Sequence, residues 1–250
     1  MAVEQTEAIV LHTYNLTESS KIVVLLTPGR GKVRAVAKGV RRTKSKFGSS
    51  LEPITRVEAQ IHFKEGRDLQ NLSQAETRDS FPSVRSDLKR LCMASMMCEL
   101  MEQFVQENEE AGDPFALLSL SLKMLADMSK NHESLLVFFY LKLLEISGLL
   151  PDFGQCAHCK NKADDPVYLD AGAGGILCSA CSAGKGERVS AGSLRIMERL
   201  AAADWRMLER TRIPPALVDE MLHALSAYAV YHTGRQLKSA AFLRDISLRQ

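Results

Sequence analysis

Three patterns predict a multidomain α+β protein with an N-terminal OB-fold β-barrel, an α-helical domain and an inserted four-cysteine module. Up to about residue 80, five short apolar runs with period-two character are separated by turn signals, the strand number of a small closed OB barrel. From residue 81 onward apolar residues return at three- and four-residue steps, the spacing of a helix face. Two C-x-x-C pairs then interrupt the helical pattern. The boundaries that follow are 1–80 for the barrel, 81–152 with 187–250 for the helical domain, and 153–186 for the cysteine module.

The strands are read in order. Residues 8–12 (Ala-Ile-Val-Leu-His) form the first run and residues 21–27 the second, ended by Pro28 and Gly29. Gly29 and Gly31 supply a turn in which positive φ is free of steric cost. Residues 32–38 alternate, with Val33, Ala35 and Ala37 on one face and Lys32, Arg34, Val36 and Lys38 on the other. After a break at 39–50, residues 54–63 alternate again, residues 65–68 make a hairpin turn, and 69–75 is the fifth strand.

Helices follow. Pro82 suits a first helical turn and opens a pattern that runs to Val105, with Met93, Met96, Met97 and Met101 read as core filler. Residues 115–128 form a second helix. There Leu117, Leu118, Leu120, Leu122, Met124 and Leu125 are apolar nearly all round, as in a buried helix. Further helices are expected at 134–146, 193–200 and 215–231, with a short mixed tail at 237–250, and the acidic run 107–110 reads as a solvated helix end. The apolar runs fall well short of the ~20 residues that cross a bilayer.

Cys156-Ala157-His158-Cys159 and Cys178-Ser179-Ala180-Cys181 stand eighteen residues apart. Two such knuckles joined by a hairpin bring four thiolates around one Zn²⁺, a zinc-ribbon-like arrangement. Four thiolates close the coordination shell, so the metal is expected to be structural. The first fifteen residues lack a basic segment followed by an apolar one. The expected compartment is therefore the reducing cytoplasm, where metal is favoured over disulfide. His158 reads as a bystander, and Cys92 and Cys98 as buried small hydrophobes.

The net charge is only +2, but its distribution is uneven. Residues 19–51 contain no Asp or Glu and nine cations. Arg30, Lys32, Arg34, Lys38, Arg41, Arg42, Lys44 and Lys46 from this window are the candidate polyanion-binding residues, on a fold much used for single strands. Phe47, Phe63 and Tyr14 are the few aromatics available for base stacking, so phosphate contacts are expected to dominate. No nucleotide-binding glycine loop, nucleophile elbow or paired-acid metal motif is present. These features predict a non-enzymatic nucleic-acid binder with structural zinc. The alternative is a zinc-ribbon RNA-binding or transcription- or translation-associated factor.

Several segments resemble the bacterial RecO family. They are residues 7–11 (Glu-Ala-Ile-Val-Leu), 18–23 (Glu-Ser-Ser-Lys-Ile-Val), 27–32 (Thr-Pro-Gly-Arg-Gly-Lys) and 37–42 (Ala-Lys-Gly-Val-Arg-Arg). Residues 147–152 ahead of the cysteines, and the tail with Leu237, Lys238, Ser239, Phe242 and Leu243, resemble it too. The resemblance spans nearly the whole chain. It implies a DNA repair and recombination mediator that binds single- and double-stranded DNA, anneals complementary strands and acts at the nucleoid. Implied partners are RecR, the C-terminal tail of single-strand-binding protein and, indirectly, RecF and RecA. A tail groove would lie along the helix at 93–104 or the helix at 135–146.

Overall fold

The alternation in the first 80 residues closes into a barrel. The computed structural model describes residues 2–42, 45–107, 109–162, 165–210 and 212–247. Strands β1 (Ala2–Asn15), β2 (Lys21–Thr27), β3 (Gly31–Ala37), β4 (Arg56–Phe63) and β5 (Gln70–Asp79) pair in the order β1-β2-β3-β5-β4, with β4 returning to β1. Only β3 and β5 run parallel. This is the OB-fold arrangement. β1 extends the expected run at both ends. Its first half pairs with β4 and its second with β2, across a register shift between Val10 and His12 that lets one long strand bend between two partners.

The interior is filled by Val10, Val23, Leu25, Val33, Val57, Ile61 and Leu72, with Phe47 and Leu51 inserted from the β3–β4 connection. Ile9, Leu11, Val24 and Leu26 point the other way and are buried as well. They lie beneath the helices that follow, which pack on β1 and β2. A strand covered on both faces reads as an unbroken apolar run, which is why residues 22–26 do not alternate.

The helix expected from residue 82 is two helices, α1 (Pro82–Arg85) and α2 (Leu88–Phe104). Asp87 is extended and its carboxylate accepts the Arg90 N–H at 3.0 Å, an N-cap that restarts the helix. α2 buries Met93, Met96, Met97 and Met101, so its methionines are core rather than the lining of a groove. Glu107, Glu109 and Glu110, expected at a helix end, lie outside the helices. α2 stops at Phe104, and the chain turns back onto β3, where Lys32 N–H donates to the Gln106 carbonyl at 3.0 Å and Glu107 bridges to Gly31 and Lys32. Gly31 makes this approach possible. Its φ is +57°, and a Cβ there would lie 2.7 Å from the carbonyl oxygens of Gln106 and Glu109.

α3 (Gly112–Asp127) buries one face, while Leu117 and Leu120 are half-buried. All-round burial belongs instead to α4 (His132–Ile146), whose residues 134–141 are buried without a break among its neighbours. Contacts divide the chain into two units, residues 1–127 with 242–250 and residues 128–241, so the division falls between α3 and α4.

In the second unit α4 is flanked by α6 (Ala191–Ala201) and α7 (Pro215–Thr233). Lys142 runs its stem along α4 and places Nζ 2.7 Å from the Ala201 carbonyl, at the negative end of α6. The Tyr140 hydroxyl meets Ser226 Oγ at 3.0 Å, which satisfies a phenol buried in an apolar helix. Strands β6 (Val167–Asp170), β7 (Gly175–Leu177) and β8 (Glu187–Val189) form a three-stranded antiparallel sheet in the order β7-β6-β8, with the one-turn α5 (Ser179–Ser182) between β7 and β8. The tail is helical as α8 (Lys238–Ser247), where the sequence suggested mixed structure.

Candidate nucleic-acid interface and four-cysteine centre

Alternation along β3 turns Val33, Ala35 and Ala37 inward and leaves Arg34 and Lys38 exposed and Lys32 half-buried, as expected. The cations at the two ends of the strand then differ. At the start, Arg30 Nε donates to Glu4 Oε2 at 2.7 Å and its Nη2 pairs with Oε1, while the guanidinium lies 4.3 Å over the Phe63 ring. This hydrogen-bonded pair holds the Glu4 carboxyl below its ordinary range and raises the Arg30 guanidinium above its own. Lys32 Nζ donates to the Glu102 carbonyl at 2.8 Å, and Arg34 Nε lies 3.5 Å from Glu107 Oε1. Two cations of a window without acids in sequence, Arg30 and Arg34, are therefore partnered by acids from elsewhere in the chain.

Past the end of the strand, Lys38, Arg41, Arg42 and Lys46 are exposed. Among the described residues none has a carboxylate within ion-pair distance. Arg41 is tied at both its backbone and its guanidinium, because its N–H donates to the Ser19 carbonyl and Nη1 to the Thr17 carbonyl, both at 3.1 Å. These bonds hold the β3–β4 loop against the β1–β2 loop. Lys44 lies outside the described residues.

Two of the three aromatics proposed for stacking are unavailable. Phe47 is 2% exposed because it plugs the barrel, and Phe63 is 8% exposed beneath Arg30. Tyr14 is 43% exposed, with its ring 4.4 Å from that of His12 and its hydroxyl 3.1 Å from Glu102 Oε1.

Beside Lys38 the barrel has a cleft of about 290 Å³ to which the β4–β5 turn adds Lys64 and Arg67. These two were missed in sequence because Glu65 and Asp68 cancel them in a linear window. A larger cleft of about 730 Å³ in the second unit mixes Asp170 and Glu187 with Lys185, beside Tyr228 and Tyr231. It offers no single sign of charge to a polyanion.

The cysteines converge. The four Sγ atoms of Cys156, Cys159, Cys178 and Cys181 lie within 4.8 Å of one another, with Cys159 and Cys178 at 3.9 Å. Sulfurs about 2.3 Å from a shared tetrahedral ion stand roughly 3.8 Å apart, so this group can hold a metal ion. Each knuckle is built by its backbone. Lys160 N–H closes the first turn on the Cys156 carbonyl at 2.9 Å, and Cys181 N–H closes the second on the Cys178 carbonyl at 3.0 Å. The β6–β7 hairpin joins them, and Ala157 N–H is anchored to the Ile176 carbonyl at 2.8 Å. Gly186 lets β8 come alongside, at φ +78° with a Cβ position only 2.8 Å from the Leu169 carbonyl.

Backbone N–H groups of Cys159 and Cys178 aimed at Cys156 lower its thiol to about 6, whereas hydrogen bonding to Cys178 and burial push Cys181 up to about 12. The site thus presents one sulfur ready to be a thiolate, as metal capture requires. His158 is exposed and lies outside the sulfur group. Cys92 and Cys98 are buried within α2, and burial pushes the Cys98 thiol up to about 12. No helix among the described residues is long and apolar enough to cross a membrane.

Comparison with known proteins covers both halves. The family model described as recombination protein O N terminal matches residues 1–81, and that described as recombination protein O C terminal matches residues 85–241. The chain is 38% identical over 248 residues to a DNA repair protein RecO of Symbiobacterium thermophilum, covering 97% of each. It is 35% identical over 244 residues to one of a Nocardioides species, covering 95% of this chain and 97% of the relative. With one of Streptomyces coelicolor it shares 34% identity over 249 residues, covering 97% and 99%.

Proposed function

The chain belongs to the recombination protein O family of DNA repair proteins, and from that premise we propose that it is a recombination mediator. In this reading it binds single- and double-stranded DNA on the outer face of the barrel and anneals complementary strands. With RecR it helps to load RecA onto DNA coated by single-strand-binding protein, whose C-terminal tail it also recognises, and RecF assists indirectly. It works in the cytoplasm, at the nucleoid.

The observation that carries the reading is the exposed set Lys38, Arg41, Arg42 and Lys46, with no carboxylate partner among the described residues, on an OB-fold next to the β1–β2 loop. OB-folds bind oligonucleotides with strands 2–3 and the loops that follow strands 1 and 4. Cations there displace condensed counterions from phosphates, and binding weakens as salt rises. Lys44 belongs to the same loop. Arg30, Lys32 and Arg34 flank it, and each must leave a partner before it reaches DNA.

Annealing needs no bond made or broken. Neutralising phosphates on two strands lowers their repulsion, and base pairing supplies the free energy. No general acid, base or nucleophile is required, so the protein acts without being an enzyme. Cys156, Cys159, Cys178 and Cys181 hold one structural Zn²⁺. Four thiolates leave no open coordination position, so the metal contributes folding free energy rather than Lewis-acid chemistry.

The test is annealing of complementary oligonucleotides coated with single-strand-binding protein, across a salt series. Wild type anneals and loses activity with salt, Lys38/Arg41/Arg42→Ala fails, and Arg30/Arg34→Ala persists. Absence of annealing by zinc-loaded wild type, or preference for RNA in competition, overturns the reading.

A further inference from the structure

The cleft beside Lys38 has a construction that the basic window in sequence does not account for. Register places Val36 of β3 beside Asn71 of β5, and Asn71 beside His62 of β4, so these three side chains form a row across the outer face of three strands. That row is the floor. Lys38 stands at one side, and Lys64 and Arg67 from the β4–β5 turn stand at the other, over a volume of about 290 Å³. All three cations are exposed. No carboxylate lines the cleft, and among the described residues none lies within ion-pair distance of them. The acids of the same turn, Glu65 and Asp68, are not among the lining residues.

The turn is also held in shape. Gln70 accepts the Lys64 N–H at 2.8 Å through Oε1 and donates through Nε2 to the Arg67 carbonyl at 2.6 Å. One side-chain amide thus clasps both ends of the segment that carries the two cations. A preorganised turn loses less conformational entropy on binding than a free loop with the same charges.

We infer that this cleft is a phosphodiester-binding subsite, built by Lys38, Lys64 and Arg67 with the Asn71 amide and His62 imidazole on its floor, for the backbone of a single DNA strand. The inference rests on the proposed DNA-binding face and extends it. A strand held at Arg41 and Arg42, beside the β1–β2 loop, continues past Lys38 across the parallel β3–β5 seam and leaves along the β4–β5 turn. Backbone contact is favoured over base stacking because three cations and the Gln70 and Asn71 amides stand around the cleft beside Val36, His62 and Leu69, and no Phe, Tyr or Trp lines it. A cleft of about 290 Å³ has room for one strand's backbone rather than for a duplex.

The experiment is fluorescence anisotropy with full-length, zinc-loaded protein and a labelled poly(dT) oligonucleotide, across a salt series. Lys64/Arg67→Gln is compared with wild type and with Arg41/Arg42→Ala. Removing two phosphate contacts is expected to lower the salt slope by about 1.4 and weaken binding by about 25-fold at 0.1 M salt. The thermal midpoint should not change, because both side chains are exposed. Asn71→Asp retains every cation and places a carboxylate on the floor, and it should weaken binding several-fold. Wild-type affinity and slope in both Lys64/Arg67→Gln and Asn71→Asp, with Arg41/Arg42→Ala impaired, overturns this subsite alone. Salt-insensitive or absent DNA binding by wild type overturns the DNA-binding face and the subsite together.

Discussion

Within the second unit four sulfurs crowd to within 4.8 Å of one another, whereas the cations of the barrel face are spread over β3, the β3–β4 loop and the β4–β5 turn. The two arrangements answer to different physics. A tetrahedral ion needs all four ligands, and removing one changes a closed shell to an open one. A polyanion meets its contacts separately, and each adds its own increment to the logarithm of affinity. The cysteine centre should therefore behave as a unit, while the basic face should degrade by steps. Within the face there is a second grading, because Arg30 and Arg34 already have carboxylate partners and Lys38, Arg41 and Arg42 have none among the described residues.

The largest effect is expected at the cysteines. Structural zinc supplies on the order of 10 kcal/mol of coupled folding free energy. Cys159→Ser should thus lose stoichiometric zinc, and amide protection in β6–β8, about as completely as the quadruple Cys→Ser variant. Metal content with hydrogen exchange checks this, and a graded series from one to four substitutions would break the contrast. Next comes Lys38/Arg41/Arg42→Ala. At about fivefold per contact on single strands in 0.1 M salt, the triple variant should bind roughly a hundredfold more weakly, with each single variant contributing its own factor. Anisotropy titrations of all the variants decide whether the losses multiply.

A smaller change, in the opposite direction, should follow Glu4→Gln with Glu107→Gln. Releasing Arg30 and Arg34 toward solvent should tighten DNA binding by up to about fivefold per freed cation and steepen the salt slope. Unchanged affinity would mean that these two arginines do not reach the backbone even when free. The smallest effect is on acid stability. Arg30 holds the Glu4 carboxyl below its ordinary 4.5, so the pair's contribution is complete above that pH and is lost as the pH falls toward the depressed folded value. An exposed pair contributes about 1 kcal/mol or less. Denaturant midpoints from pH 6 to 3 should therefore fall slightly more for wild type than for Glu4→Gln.

What was legible in the sequence depended on how local each feature is. The four cysteines sit within two four-residue turns, so their spacing alone announced that they would converge. Strand alternation likewise placed Val33, Ala35 and Ala37 inside. The helix read from residue 82 was correct in type but hid the cap at Asp87, where local hydrogen bonding overrides an apolar pattern that continues across the break. The electrostatics of the barrel were only half visible. Glu4 and Glu107 lie 26 and 73 positions from Arg30 and Arg34, and only closure of the barrel brings them near. Lys64 and Arg67 are concealed by Glu65 and Asp68, and it takes the parallel pairing of residues 35–37 with 70–72 to bring them beside Lys38. Phe47 resembles a loop aromatic until the β3–β4 connection is seen to fold into the barrel mouth.

The short return of the chain onto the first residues of β3 has a consequence for crowding. β3 pairs with β2 along one side. On the other it meets β5 only at residues 35–37, which would leave its opening residues as a bare strand edge. The segment at 106–107 covers that gap through the Gln106 carbonyl and the Glu107 bridge. An uncovered edge is a template on which another chain can add a strand. Wherever copies of this chain meet at high local concentration that hazard grows, and here it is closed off by two residues of backbone.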